Sequence, residues 1–206
     1  MIGYYNYTVI LTYLSLTAAI FGMTFVVEGK PMWAVVCLML SGLCDMFDGV
    51  VARTRQRTAR EKKFGIELDS LADLVAFGVL PAMIGYAMGM NQIYHKIILA
   101  LYVIAALIRL AYFTVTEEER EQTAGGPRRY YDGMPVTAMA LLFPATYCIC
   151  EVLRQQSAGV YTVLLFCAAL AFVARIQVRK PSFRQLCALA AVGAAVLIAL
   201  LALQAR

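Results

Sequence analysis

Apolar runs of about twenty residues recur along this chain, and that recurrence constrains the fold more than any other feature. A run of that length crosses a bilayer as an α-helix. Inside hydrocarbon, only helices and closed barrels satisfy every backbone N–H and C=O. The runs fall near residues 8–27, 32–52, 66–88, 96–114, 134–153, 158–178 and 185–203. A 206-residue chain that is 62% hydrophobic, with a mean hydropathy of +0.72, is not built around an ordinary soluble core. The pattern predicts an all-α integral membrane protein, a bundle of about six to seven transmembrane helices forming one domain over residues 1–206.

Charge orients the bundle. Alternate connections hold Arg53, Arg55, Arg57, Arg60, Lys62, Lys63, Arg120, Arg128, Arg129, Arg175, Arg179, Lys180 and Arg184, whereas the other side holds Lys30, Lys96, Arg154 and Arg206. Thirteen against four puts the first group in the cytoplasm by the positive-inside rule, in a cell (inner) membrane. With seven spans the N-terminus is cytoplasmic and the C-terminus external; an even count, with one segment lying flat, moves the C-terminus. Residues 1–7 lack the basic region and cleavage site of a signal peptide, so the first span is expected to be retained. The basic stretch 53–63 is read as a polar link attracted to anionic headgroups, not as a nucleic-acid site. Residues 115–133 form a second polar connection, and Pro81 is expected to kink the third span. The six cysteines have no metal or redox spacing and read as small buried hydrophobes.

Acids inside the apolar runs carry the chemistry. On a helix, Asp45, Asp48, Gly49 and Ala52 share one face at offsets of three and four, and Gly65, Asp69 and Asp73 repeat the arrangement on the next span. A carboxylate at membrane depth costs roughly 2.5–3.5 kcal/mol on insertion scales. Four converging carboxylates repel unless cations lie between them; two divalent ions balance the charge, and oxygen-only ligation favours Mg²⁺ or Mn²⁺. The sequence thus predicts a polar metal site at the cytoplasmic side of the bundle. A lone Asp-x-x-Asp can simply cap a helix or form a solvated edge, but two glycine-marked pairs at one membrane side point to a shared site. Such a site can clamp a diphosphate. Gly49 and Gly65 either admit substrate to the backbone or pack helices together, and Arg53 offers a planar fork of donors for phosphate. Arg109 lies within a span, where it either serves function or snorkels to the interface. Arg128, Arg129 and Tyr131 either cover the site or form a solvated face. A cation transporter would instead spread its acids across the membrane, whereas the far side offers only Glu28 and Glu151 near connections.

The run Asp45-x-x-Asp48-Gly49-x-x-Ala52-Arg53, followed by Gly65-x-x-x-Asp69-x-x-x-Asp73, resembles the signature of the CDP-alcohol phosphotransferase family. Eleven residues separate Arg53 from Gly65, where the family usually has about eight. The resemblance implies that Asp45, Asp48 and Asp69 hold metal. It also implies that Asp73 touches metal and acts as the general base, and that Gly49 and Arg53 contact the CDP moiety, with Gly65 beside them. Residues 69–81, the Ile108-Arg109-Leu110-Ala111-Tyr112-Phe113 and Tyr131-Asp132-Gly133-Met134-Pro135 segments, and Arg179-Lys180-Pro181 are similar to the phosphatidylserine synthase branch.

This similarity covers most of residues 8–181 and leaves 185–203 as an extra C-terminal helix. It implies phosphatidyl transfer from CDP-diacylglycerol to L-serine with release of CMP, amid membrane lipids and in a homodimer. Arg109 would then face phosphate or the serine carboxylate. Thr12 and Ser15, standing where relatives often have Thr-Leu-x-Asn, are expected to bind the CDP-lipid; Thr114 and Thr137 replace Asn and Pro of many relatives. Glycerol 3-phosphate or inositol is the alternative acceptor.

Overall fold

A computed structural model describes residues 3–4, 6–52, 54–122, 130–154, 158–179 and 183–204. A short 3₁₀ turn, Tyr7–Val9, leads into α1 (Ile10–Val27). A turn with Gly29 at φ +73° returns the chain as α2 (Pro31–Ala52), and Lys30 pairs with Glu28 at 2.8 Å. Next come α3 (Ala59–Asp73), a π-helical segment (Leu74–Val79) and α4 (Leu80–Ala87), which together make one continuous helix. The bundle continues through α5 (Ile93–Gln122), α6 (Met139–Val152), α7 (Ala158–Val173) and α8 (Phe183–Gln204). Four of these helical stretches are long and apolar enough to cross a membrane: Tyr7–Val27, Pro31–Ala52, Ala59–Ala87 and Ile93–Glu119. The apolar stretches Val136–Val152, Ala158–Val173 and Cys187–Leu203 are shorter. The protein is a multi-pass helical membrane protein.

The Ala59–Ala87 helix occupies the centre: 56% of its most apolar window is buried, against 28–33% for the other three long helices. Phe77, Leu80 and Ile84 project from it into a core completed by Leu38 of α2, Tyr102 of α5, Phe143 of α6 and Leu165 of α7, all fully buried. Outward positions such as Leu14, Phe21, Leu107, Val163 and Ile198 are exposed and uncharged, as a lipid-facing surface requires. α2 and α6 meet at Gly42, where any Cβ would overlap that of Ala140.

Pro81 does not produce a simple kink. A proline in mid-helix cannot donate to the carbonyl four residues back and its ring crowds that group. Here the helix widens to i→i+5 bonding just before it, with Leu80 N–H donating to the Val75 carbonyl. The carbonyl that Pro81 leaves behind, that of Phe77, accepts a 2.6 Å hydrogen bond from the buried Tyr102 hydroxyl. Tyr102→Phe strands that carbonyl in the core and is expected to cost about 1–3 kcal/mol, read as a lower unfolding temperature in detergent.

Three expected boundaries change. The 53–63 link is not all loop: Thr58 and Glu61 form a capping box that starts α3 at Ala59. The fourth span does not end near 114, because Glu117 to Gln122 continue the helix, and Lys63–Glu118 (2.6 Å) and Ser70–Thr114 (3.2 Å) tie that extension to α3. The sixth expected span, α7, stops at Val173 instead of 178. The all-helical expectation holds for the bundle, but β1 (Tyr130–Asp132) and β2 (Gln177–Arg179) pair antiparallel between helices, with Tyr131 opposite Val178.

Candidate functional site

The last turns of α2 and of α3 bring the predicted acids together. Ligand oxygens of Asp45, Asp48 and Asp69 all lie within 4.8 Å of one another. Asp73, one turn after Asp69 and only 8% exposed, lies close enough to Asp45, Asp48 and Asp69 to feel their charges. Two full charges 4.8 Å apart repel by about 3.5 kcal/mol at an effective dielectric of 20. The cluster is therefore a poor structural device by itself and a good cage for hard cations, because every donor is a carboxylate oxygen. Helical periodicity accounts for the convergence: each pair is spaced so that both members face the neighbouring helix.

Beside the acids lies a pocket of about 160 Å³. Asp48, Gly49 and Ala52 of α2 form one wall, and Gly65, Ile66 and Asp69 of α3 form the second. Thr8, Val9 and Thr12, at the start of the chain, form the third wall, and Arg57 reaches in from the link. The glycines separate the two sequence readings. A Cβ on Gly49 would meet nothing within 4 Å, and one on Gly65 would meet only the Arg57 guanidinium, at 3.1 Å. Neither glycine packs helices together; both open onto the pocket. Gly22, Gly42 and Gly85 are packing glycines instead, set against Leu80, Ala140 and Leu165.

The other expected residues divide. Thr12 lines the pocket. Ser15 does not: its hydroxyl donates to the Ser41 carbonyl (3.3 Å) while the Ser41 hydroxyl donates to the Ser15 carbonyl (2.9 Å), a reciprocal clasp between α1 and α2. Arg109 does not snorkel; it is 7% exposed, its guanidinium lies 5.5 Å from the centre of the Phe113 ring, and its stem approaches Gly133. It does not line the pocket beside the acids. Tyr131 lies on β1; Arg53, Arg128 and Arg129 are outside the described residues. Thr8 and Arg57 were missed. Thr8 sits one helical turn before Thr12, a legible spacing, whereas nothing in the sequence separates Arg57 from its basic neighbours.

Fold and site together define a membrane-embedded protein whose carboxylate cage and adjoining pocket open at the end of the bundle where α1 begins and α2 ends. The chain belongs to the CDP-alcohol phosphatidyltransferase family, whose model matches residues 5–204. It is 39% identical over 132 residues to a CDP-diacylglycerol–serine O-phosphatidyltransferase of Saccharomyces cerevisiae, covering 62% of this chain and 47% of that one. The enzyme of the same name from Helicobacter pylori is 41% identical over 115 residues, covering 53% and 42%. An archaetidylserine synthase of Methanothermobacter thermautotrophicus is 29% identical over 139 residues, covering 67% and 56%. The chain thus spans about half the length of the curated relatives it matches.

Proposed function

We propose that the protein transfers the phosphatidyl group of CDP-diacylglycerol to the hydroxyl of L-serine, giving phosphatidylserine and CMP. The observation that carries this reading is the convergence of Asp45, Asp48 and Asp69 within 4.8 Å beside a glycine-walled pocket. Serine as acceptor rests on the names of the relatives. Asp45, Asp48, Asp69 and Asp73 would hold two divalent ions, Mg²⁺ or Mn²⁺, which when bound offset the carboxylate charge and polarise the phosphorus under attack.

The chain's own residues do the rest. Gly49 and Gly65 let the CDP moiety lie against backbone, with Thr8 and Thr12 offering hydroxyls at its side. Asp73 takes the serine hydroxyl proton as that oxygen bonds to the lipid-proximal phosphorus and the bond to the CMP oxygen breaks. The excess of Lys and Arg in the connections at this end supports a cytoplasm-facing site in the cell membrane.

Purified protein in mixed micelles with labelled serine, CDP-diacylglycerol and Mg²⁺ or Mn²⁺ is expected to form labelled lipid. Transfer to glycerol 3-phosphate or inositol, with none to serine, would replace the acceptor and keep the mechanism. No CMP release with any acceptor would sink the reading. Gly49→Leu gives a further check. A Cβ at this position meets nothing within 4 Å and the substitution gains helix propensity, so stability should not fall. The added side chain enters the pocket, so KM for CDP-diacylglycerol should rise roughly tenfold, equivalent to about 1.4 kcal/mol.

A further inference from the structure

We propose that Arg57, which lies outside the acidic signature, grips the anionic oxygens of the bound nucleotide–lipid diphosphate in the pocket that it shares with Asp48 and Asp69. The inference rests on the CDP-lipid chemistry of the proposed function but not on the acceptor.

Among the described lining residues, Arg57 is the one cation, and it shares the pocket with Asp48 and Asp69. Its guanidinium packs close over Gly65: a Cβ there would lie 3.1 Å from a terminal guanidinium nitrogen. Its neighbour Arg55 turns elsewhere, toward Glu61 at 3.8 Å. A negatively charged ligand would satisfy the guanidinium and, once ions occupy the acids, the wall of Asp48 and Asp69 as well. A guanidinium binds paired phosphate oxygens through two parallel N–H donors.

The link that carries Arg57 is held on both sides. Downstream, the Thr58 N–H and hydroxyl donate to Glu61 Oε2 at 2.9 and 3.0 Å, and the Glu61 N–H returns a bond to the Thr58 hydroxyl at 3.3 Å. The second Glu61 oxygen accepts from Asn6 Nδ2 at 3.4 Å. Asn6 Oδ1 in turn accepts from the N–H and the hydroxyl of Thr8, itself a pocket residue. Upstream, the Tyr7 and Thr54 hydroxyls are 3.0 Å apart. The start of the chain therefore straps the link, and Arg57 is placed before ligand arrives, which lowers the ordering cost of binding. Glu61 and Asn6 are positioning residues for Arg57.

The test measures equilibrium binding of CDP with Mg²⁺ to the full chain in detergent, together with KM for CDP-diacylglycerol and for serine. Arg57→Ala is expected to weaken CDP about tenfold or more, the scale of a lost charged hydrogen bond, and to raise KM for CDP-diacylglycerol while leaving KM for serine unchanged. Arg57→Lys should recover part of the loss. Glu61→Ala should weaken CDP about threefold, and Glu61→Gln, which can still close the capping box, should restore it. Unchanged CDP affinity in Arg57→Ala beside a binding wild type overturns the inference, as does a rise confined to KM for serine, which would assign Arg57 to the acceptor carboxylate. A wild type that makes no phosphatidylserine, but whose CDP binding still depends on Arg57, overturns only the acceptor. A wild type that binds no CDP ends both.

Discussion

Asp73→Asn is expected to lower kcat for phosphatidyl transfer by about 10²–10⁴-fold, the range that a positioned general base contributes, while CDP affinity changes little. The side chain is nearly buried, one turn deeper in the bundle than Asp69, and does not line the pocket that Asp48 and Asp69 share with the glycines. A group so placed belongs to the reacting centre more than to the nucleotide cleft. Asparagine keeps the shape and a carbonyl oxygen but accepts no proton. Asp48→Asn should behave differently, weakening CDP binding as well as turnover, because that carboxylate lies in the pocket wall. Steady-state kinetics beside equilibrium CDP binding separates the two. Full turnover by Asp73→Asn would remove it from the chemistry.

The site was legible where it depends on helical periodicity and obscure where it depends on chain reversal. Asp45, Asp48, Asp69 and Asp73 converge because offsets of three and four place side chains on one face, and the polar residues in those apolar helices mark the face that turns inward. Whether Gly49 faced substrate or another helix was not legible, because that depends on what stands opposite. The answer, open space at Gly49 and Ala140 against Gly42, exists only in three dimensions. Ser15 shows the converse case. Its expected role came from resemblance to relatives, yet a buried serine near a helix carbonyl satisfies itself there, and Ser41 offered the matching group. The widened turn before Pro81 follows from proline chemistry, but its partner Tyr102 lies on another helix, 25 residues away in sequence. The paired strands escaped notice because three residues are too few for any alternating pattern to register.

Removing divalent ions is expected to abolish transfer and to destabilise the fold, and the second effect is the more discriminating. With ions absent, Asp45, Asp48 and Asp69 are left with mutual repulsion of about 3.5 kcal/mol for each fully charged pair at an effective dielectric of 20. With ions at a hundred times their dissociation constant, binding to the folded state alone adds about 2.7 kcal/mol. Wild-type protein in EDTA should therefore unfold at a lower temperature than protein in Mg²⁺ or Mn²⁺, and matched ionic strength from NaCl should not reproduce the difference. Asp48→Asn inverts part of this pattern. It removes one charge from the cluster, so in EDTA it should be more stable than wild type, yet it should gain less on adding Mg²⁺ and lose activity on the order of 10²-fold or more. A mutation that stabilises the ion-free protein while disabling the loaded one distinguishes a cation cage from a structural hydrogen-bond network, in which the same substitution would destabilise the protein under both conditions. If thermal stability ignores EDTA and Asp48→Asn weakens the fold with or without Mg²⁺, the four acids hold the helices together instead of holding ions, and phosphatidyl transfer by this site is ruled out.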